Sequence, residues 1–344
     1  MAVAEPPLEL LPQGAALIGN ERVSRTSAGS HQHIYAATGR PTVEVALAGP
    51  PEIDAAVRAA RDALPRWRTM PANERRAAML RLAHSITENA APLSALQTVE
   101  TAVPQRFATS FPAAAADFFA YYAGWMDKLG GDVIDTWPVR SLDYTLDEPY
   151  GVVAVIIPWN GAMVSLAQIV AAALVCGNTV VLKPPELAPF TSLRIGELFL
   201  AAGFPPGTVN VVPAGPEGGE VLVRHPGIDK IHFTGGGATA KKILAAAMHN
   251  LTPVGLELGG KSAHLIFADS NVRAAARQAL AGLVINSGQG CANGTRVLVE
   301  APVYDEVLRL ATGRLRHIPV GDPFADSTSI GPVVSESACD RIMG

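Results

Sequence analysis

The sequence predicts an α/β protein built on an open parallel sheet. Between residues 151 and 258, short apolar runs alternate with segments of helical period. The run at 152–157 is continuously apolar, and those at 179–183, 209–212, 230–233 and 254–258 are short and largely apolar, as in strands covered on both faces. The chain has 344 residues, 49% hydrophobic and 17% charged, enough for a large core and roughly two domains.

Residues 1–50, rich in Pro, Gly, Ser and Thr, read as short strands and loops. From residue 51 the period turns helical, with Val57 and Ala60 on one face and an end near Pro65. Asn73 reads as the N-cap of a helix carrying Ala77, Leu80, Ala83 and Ile86. A third helix is expected over 107–128, its aromatic face of Phe118, Phe119, Tyr121, Tyr122 and Trp125 packed in the core. Residues 130–149 break the period and read as a long hairpin, punctuated by Gly130, Gly131 and Pro149. Helices over 163–175, 191–202, 217–223 and 238–248 separate the strands of the sheet. After Gly259 a second α/β region begins, with a helix at 271–285, the loop of Cys291, a strand at 295–300 and a helix at 302–314. Ser335 then caps a last helix.

A net charge of −4 gives no electrostatic reason to expect nucleic acid or an anionic membrane as partner. Residues 151–182 are apolar, but Pro158, Asn160, Gln168 and Asn178 cut them into pieces short of the ~20 residues of a span. No basic stretch leads into an apolar one at the N-terminus, so no signal peptide is expected. Cys176, Cys291 and Cys339 are too widely spaced for a disulfide framework and suggest free thiols in the cytoplasm. Cys176 ends the apolar run 171–176 and is expected to be a buried core thiol. His31 and His33, in a polar, Ser-rich setting, suggest a mobile surface loop rather than a metal site.

Pro158-Trp159-Asn160, Lys183-Pro184-Pro185-Glu186, Thr234-Gly235 and Glu257 all fall at the carboxyl ends of expected strands. Open α/β sheets bind ligands there. Gly235-Gly236-Gly237-Ala238-Thr239-Ala240 fits G-x-G-x-x-A after a strand, a literal dinucleotide fingerprint with Glu257 on the ribose. Against that reading, the strand is the fourth of the series and Glu257 lies within Glu257-Leu258-Gly259-Gly260-Lys261. Cys291, flanked by Gly288 and Gly290, is a candidate nucleophile. A thiol is weak at its free pKa of about 8.5 and needs an activating environment. Glu257 is a candidate base that would take a proton from water. Asn160 alone would be a turn or cap residue. A Cys–His hydrolase needs an orienting histidine, and none lies in these runs.

Together Pro158-Trp159-Asn160, Glu257-Leu258-Gly259-Gly260-Lys261-Ser262 and Gly288-Gln289-Gly290-Cys291 resemble the aldehyde dehydrogenase superfamily, as does 203–212. The resemblance covers residues 15–344. It implies an atypical Rossmann sheet binding NAD over 1–130 and 150–258, an oligomerisation hairpin at 131–149, and an α/β catalytic domain from 259 to 344. It implies oxidation of an aldehyde to an acid, with Cys291 as nucleophile, Glu257 as deacylating base, and Asn160 with the Cys291 amide as oxyanion donors. Ile156, Pro158, Trp159, Lys183, Glu186, Phe233, Thr234, Gly235, Gly236 and Leu258 become cofactor-binding positions. A Glu186 carboxylate would repel a 2′-phosphate, so NAD is expected rather than NADP. Gly236 and Ala240 depart from the family's F-T-G-S-x-x-x-G, which removes a hydroxyl for the pyrophosphate. Run 291–297 looks like that of betaine-aldehyde-type members. Family members continue past 330–335 to an E-x-F-G-P-V run and a terminal strand that joins a partner subunit. Neither is within the 344 residues. The expectation is a truncated catalytic domain with little activity and a compromised homo-oligomer. The alternative is a non-catalytic NAD-binding fragment serving as an interaction or structural module.

Overall fold

The computed structural model describes residue 3 and residues 5–344. In chain order the strands are β1 (Ala16–Ile18), β2 (Glu21–Val23), β3 (Ser30–Tyr35), β4 (Arg40–Ala46), β5 (Val133–Ile134), β6 (Asp143–Tyr144), β7 (Val152–Ile156), β8 (Thr179–Lys183), β9 (Val209–Val211), β10 (Lys230–Gly235), β11 (Val254–Leu258), β12 (Ala263–Ile266) and β13 (Arg296–Val299). The helices are α1 (Pro50–Thr69), α2 (Ala72–Glu88), α3 (Ala90–Thr101), α4 (Gln105–Ala108), α5 (Phe111–Ala123), α6 (Ala162–Val175), α7 (Phe190–Ala201), α8 (Pro216–Arg224), α9 (Gly237–Ala247), α10 (Val272–Val284), α11 (Tyr304–Leu315) and α12 (Glu336–Met343).

The main sheet runs β11-β10-β7-β8-β9-β1-β2. Its first five strands are parallel. β1 joins β9 antiparallel through Leu17 and Val211, and β2 follows antiparallel, so two strands from the N-terminal region extend the expected parallel sheet. Strand alternation divides the core in two. Val153, Val155, Val180 and Leu182 face a cluster with Trp67, Leu82, Phe119, Leu166 and Phe199. Val152, Ala154, Ile156 and Val181 face a cluster with Ile53, Ala56, Leu222 and Ile243. Every residue of β7 and β8 is buried, which is why β7 and the middle of β8 read as apolar runs, with the polar Thr179 and Lys183 at the ends of β8.

Several local expectations change. α1 continues through Pro65 to Thr69. Pro65 lies on the exposed face, while Trp67 is fully buried and its Nε1 donates to the Leu174 carbonyl at 3.1 Å, which holds the last turn. α2 starts at Ala72, with the Pro71 carbonyl accepting from Glu74 and Arg75, so Asn73 is not its cap. The helix expected over 107–128 is two pieces, α4 and α5, ending at Ala123. Phe119 is core and Phe118 and Tyr122 pack against it, whereas Tyr121 and Trp125 are exposed. The 130–149 hairpin forms, but only Val133–Tyr144 and Ile134–Asp143 pair, and Trp137, Val139 and Leu142 stand in solvent.

His33 is a buried strand residue rather than part of a mobile loop. Its Nδ1 meets Thr42 Oγ1 at 2.7 Å and its Nε2 meets the Glu100 carbonyl at 3.1 Å. α3 was not expected; it buries Ser94, Gln97, Thr98, Glu100 and Thr101.

Past β11, β12 and β13 form a separate parallel pair with a small core of Ile266, Ala276, Ala279 and Val307. Ser335 caps α12 as expected, its Oγ accepting from Ala338 N at 3.2 Å. The 323–331 segment returns to the first region, where Gln105 N donates to the Pro323 carbonyl at 2.8 Å. Among the described residues no helix is long and apolar enough to cross a membrane.

Candidate active site

β7 was the first strand of the parallel series, and the chain lays β8 and β9 on one side of it and β10 and β11 on the other. Such a reversal opens a crevice between the loops leaving β7 and β10. Asn160 follows β7 and the Gly235–Gly237 corner follows β10, so both border it.

Glu257 is the penultimate residue of β11 and is exposed, opposite Thr234 in the β10 register. Cys291 is exposed on the loop after a short 3₁₀ turn (Ile285–Gly288). Both line one groove of about 1000 Å³, whose floor carries Lys230, His232 and Thr234 of β10. Asn160 joins the cysteine loop directly: its Nδ2 donates to the Gln289 carbonyl at 2.6 Å. The structure therefore puts Cys291 and Glu257 on one groove and ties Asn160 to the loop that carries Cys291.

The cofactor-binding positions gather on the neighbouring strand ends. Lys183, last in β8 and paired in register with Ile156, is buried to 7% exposure. Burial pushes its ammonium pKa down, and Glu186, with Oε2 at 3.9 Å from Nζ, opposes that shift. Its only close acceptor is the Pro184 carbonyl at 3.4 Å. This lysine therefore keeps donor capacity for a ligand hydroxyl. Phe233 is buried, and its ring crosses Gly235, where a Cβ would lie 2.4 Å from it. A side chain there would have to displace the buried Phe233 ring. Gly236 differs: it is the N-cap of α9, and a Cβ there meets nothing within 4 Å. The helix start is thus a backbone anion cradle without a side-chain hydroxyl. Pro158, Trp159 and Thr234 are half-buried at the crevice and Leu258 is exposed beside Gly235.

His232 and Asn286 escaped the sequence reading, which took Gln289 only as part of the cysteine run. His232 sits on the groove floor, with Nε2 buried and without a hydrogen-bond partner among the described residues. Burial pushes its pKa down, with Lys230 adding to the shift and Glu257 opposing it. Asn286 donates from Nδ2 to the Asn160 carbonyl at 2.7 Å. Gln289 accepts at Oε1 from Val334 N at 3.1 Å. The one sequence signal for Asn286 is asparagine's tolerance of left-handed backbone beside a glycine-rich run. Cys176 departs from expectation in the opposite way: it is exposed in the groove wall, at the C-terminal end of α6, rather than buried. The side of α6 carrying Ser165, Gln168, Ala172 and Cys176 faces the groove instead of the core.

The family model for the aldehyde dehydrogenase family matches residues 23–344. Human retinal dehydrogenase 2 is 40% identical over 316 residues, covering 89% of this chain and 60% of its own length. Hydroxyisobutyraldehyde dehydrogenase from Mycolicibacterium austroafricanum is 36% identical over 326 residues, with 94% and 64% covered. Among solved structures, PnpE in complex with nicotinamide adenine dinucleotide aligns with a TM-score of 0.93 at 36% identity, covering 96% of this chain and 68% of that one. Betaine aldehyde dehydrogenase from Staphylococcus aureus in complex with NAD+ gives 0.93 at 32% identity, covering 97% and 67%. The chain belongs to the aldehyde dehydrogenase family. It spans about 60–66% of the length of curated relatives it matches.

Proposed function

We propose that this chain carries the active site of an NAD-dependent aldehyde dehydrogenase. The observation that carries the reading is that Cys291 and Glu257 line one groove while Asn160, at the end of β7, is hydrogen-bonded to the cysteine loop through the Gln289 carbonyl. Related proteins with NAD bound support the choice of cofactor.

The Cys291 thiolate forms an S–C bond to the aldehyde carbon, and the carbonyl electron pair moves to oxygen. The Asn160 side-chain amide and the Cys291 N–H donate to that oxyanion, a type of contact worth roughly 3 kcal/mol per donor. Bound at the α9 corner, NAD would supply the hydride acceptor that turns the adduct into a thioester. Glu257 then takes a proton from water, the hydroxide adds to the thioester carbon, and the C–S bond breaks to release the acid and the thiolate. A base at 257 favours hydrolysis over acyl transfer to coenzyme A.

Features that fit the dinucleotide are the buried Lys183 with Glu186 beside it and the open amides around Gly236. Under the same reading, residues 1–130 and 150–258 hold the cofactor, 131–149 serves association between copies, and 259–344 carries the nucleophile. The exposed apolar side chains of the hairpin support the second part, and the separate β12–β13 core the third. Three free thiols suit a cytoplasmic setting.

Absorbance of NADH from the purified chain with NAD and an aldehyde tests the reading, with Cys291→Ser as control. Production that Cys291→Ser retains would refute it. Calorimetric NAD binding without any NADH would favour a non-catalytic binding module.

A further inference from the structure

The loop that presents Cys291 is wound in the unusual sense. Asn286 (φ 53°, ψ 36°), Ser287 (φ 54°, ψ 33°) and Gly288 (φ 78°) are three successive residues in the left-handed region. That region costs an L-residue about 1–2 kcal/mol, less for asparagine and little for glycine. Such a run persists only where its surroundings hold it.

Here side-chain ties hold it. Asn286 is buried to 7% exposure, and its Nδ2 donates to the Asn160 carbonyl at 2.7 Å and to the Gln289 carbonyl at 3.3 Å. Asn160 Nδ2 donates to the same Gln289 carbonyl at 2.6 Å. Ser287 Oγ accepts from Gly331 N at 2.9 Å, and Gln289 Oε1 accepts from Val334 N at 3.1 Å. The Gln289 carbonyl is thus a shared acceptor for two asparagine amides, one from the end of β7 and one from the loop. A side-chain amide has two N–H bonds in one plane. Fixing one of them on Gln289 fixes the direction of the other.

We propose that Asn286 is a positioning residue for the reaction: by tying the Asn160 backbone to the Gln289 carbonyl, it aims the second Asn160 N–H at the oxyanion formed on Cys291. The inference rests on the reading of Cys291 and Asn160 given above. Asn286 touches no substrate and acts through Asn160. Its left-handed backbone lets the side chain turn back onto β7.

The test uses p-nitrophenyl acetate as a probe that needs no dinucleotide. The Cys291 thiolate adds to the ester carbon, p-nitrophenolate leaves, and an acetyl thioester remains; p-nitrophenolate absorbance reads the rate. Asn286→Gly keeps the left-handed backbone and deletes the amide. It should slow acylation roughly 10- to 100-fold, the scale of a misplaced reacting group, while half-saturation by the ester stays within about threefold. In an Asn160→Ala background the same change should cost less than about twofold, because the group it aims is already gone. Asn286→Asp, similar in shape but without the amide hydrogens, replaces Asn286→Gly if the latter fails to fold, and should show the same pattern.

An Asn286 variant within twofold of the parent overturns the proposal. So do losses that multiply in the double variant, which would mean a general effect on the fold. An unchanged rate in Asn160→Ala or Cys291→Ser, by contrast, sinks the underlying reading and the proposal with it.

Discussion

Lys183 Nζ and Glu186 Oε2 stand 3.9 Å apart at the carboxyl end of β8, the lysine buried and the glutamate partly exposed. The spacing leaves a donor and an acceptor available to adjacent hydroxyls, and under the proposed function the Glu186 carboxylate would repel a 2′-phosphate there. NAD should therefore bind more tightly than NADP, by tenfold or more in calorimetric titration. Glu186→Gln should narrow that ratio. Equal affinities in the parent chain would remove Glu186 from the specificity determinants.

Glu257 faces the groove from β11 without being bonded into the cysteine loop. Glu257→Gln should leave a first-turnover burst of NADH comparable to the amount of Cys291, and lower the steady-state rate by roughly 10²- to 10⁴-fold, the usual contribution of a general base. Stopped-flow absorbance separates the two phases. An unaltered steady state would reduce Glu257 to a structural acid.

Gly236 has open space around its missing side chain. Gly236→Ser should fit without rearrangement, cap α9 with a gain of a few tenths of a kcal/mol, and offer a hydroxyl to the pyrophosphate. NAD affinity should rise roughly tenfold, the lower end of the about 1.5–3 kcal/mol that a hydrogen bond to a charged group contributes. Weaker binding would show that a side chain obstructs the cradle.

Glu100 carries the pH prediction. Burial pushes its carboxyl up to about 7, although hydrogen bonds from Thr191 N at 2.6 Å and Thr191 Oγ1 pull the other way. Its folded form prefers the proton, so its contribution to stability is full below its ordinary value of 4.5 and is lost as pH rises to about 7. Relative to Glu100→Gln, the parent chain should lose on the order of 3 kcal/mol across that interval and change little above it. Denaturant midpoints measured at several pH values check this; parallel curves for the two proteins would contradict it.

The strand ends were legible because β7 and β8 are buried on both faces and their interiors carry no polar residue. Cys291, Glu257 and Asn160 were legible because each sits in a short run of distinctive composition. α3 was not, since it buries Ser94, Gln97, Thr98 and Glu100 along with Leu93, Leu96 and Val99, which blurs the apolar face, and Thr98 and Glu100 bond to Ser94, Gln105 and Thr191 rather than to water. His33 was missed because its burial depends on α3, distant in sequence, lying across the β3–β4 hairpin. Cys176 misled because hydrophobic period marks an apolar face and cannot say whether core or groove receives it. Asn286 was hidden in a glycine-rich loop, where backbone handedness leaves no repeat to read.

The placement of Cys176 changes how chemical labelling of this protein must be read. Two sulfhydryls open onto the same depression, one on the nucleophile's loop and one on α6. Protection by a ligand lying in that depression can reach both, so loss of reactivity alone does not identify the attacking sulfur. A Cys176→Ser background, with mass spectrometry of the peptide that contains residue 291, turns such footprinting into a site-resolved count.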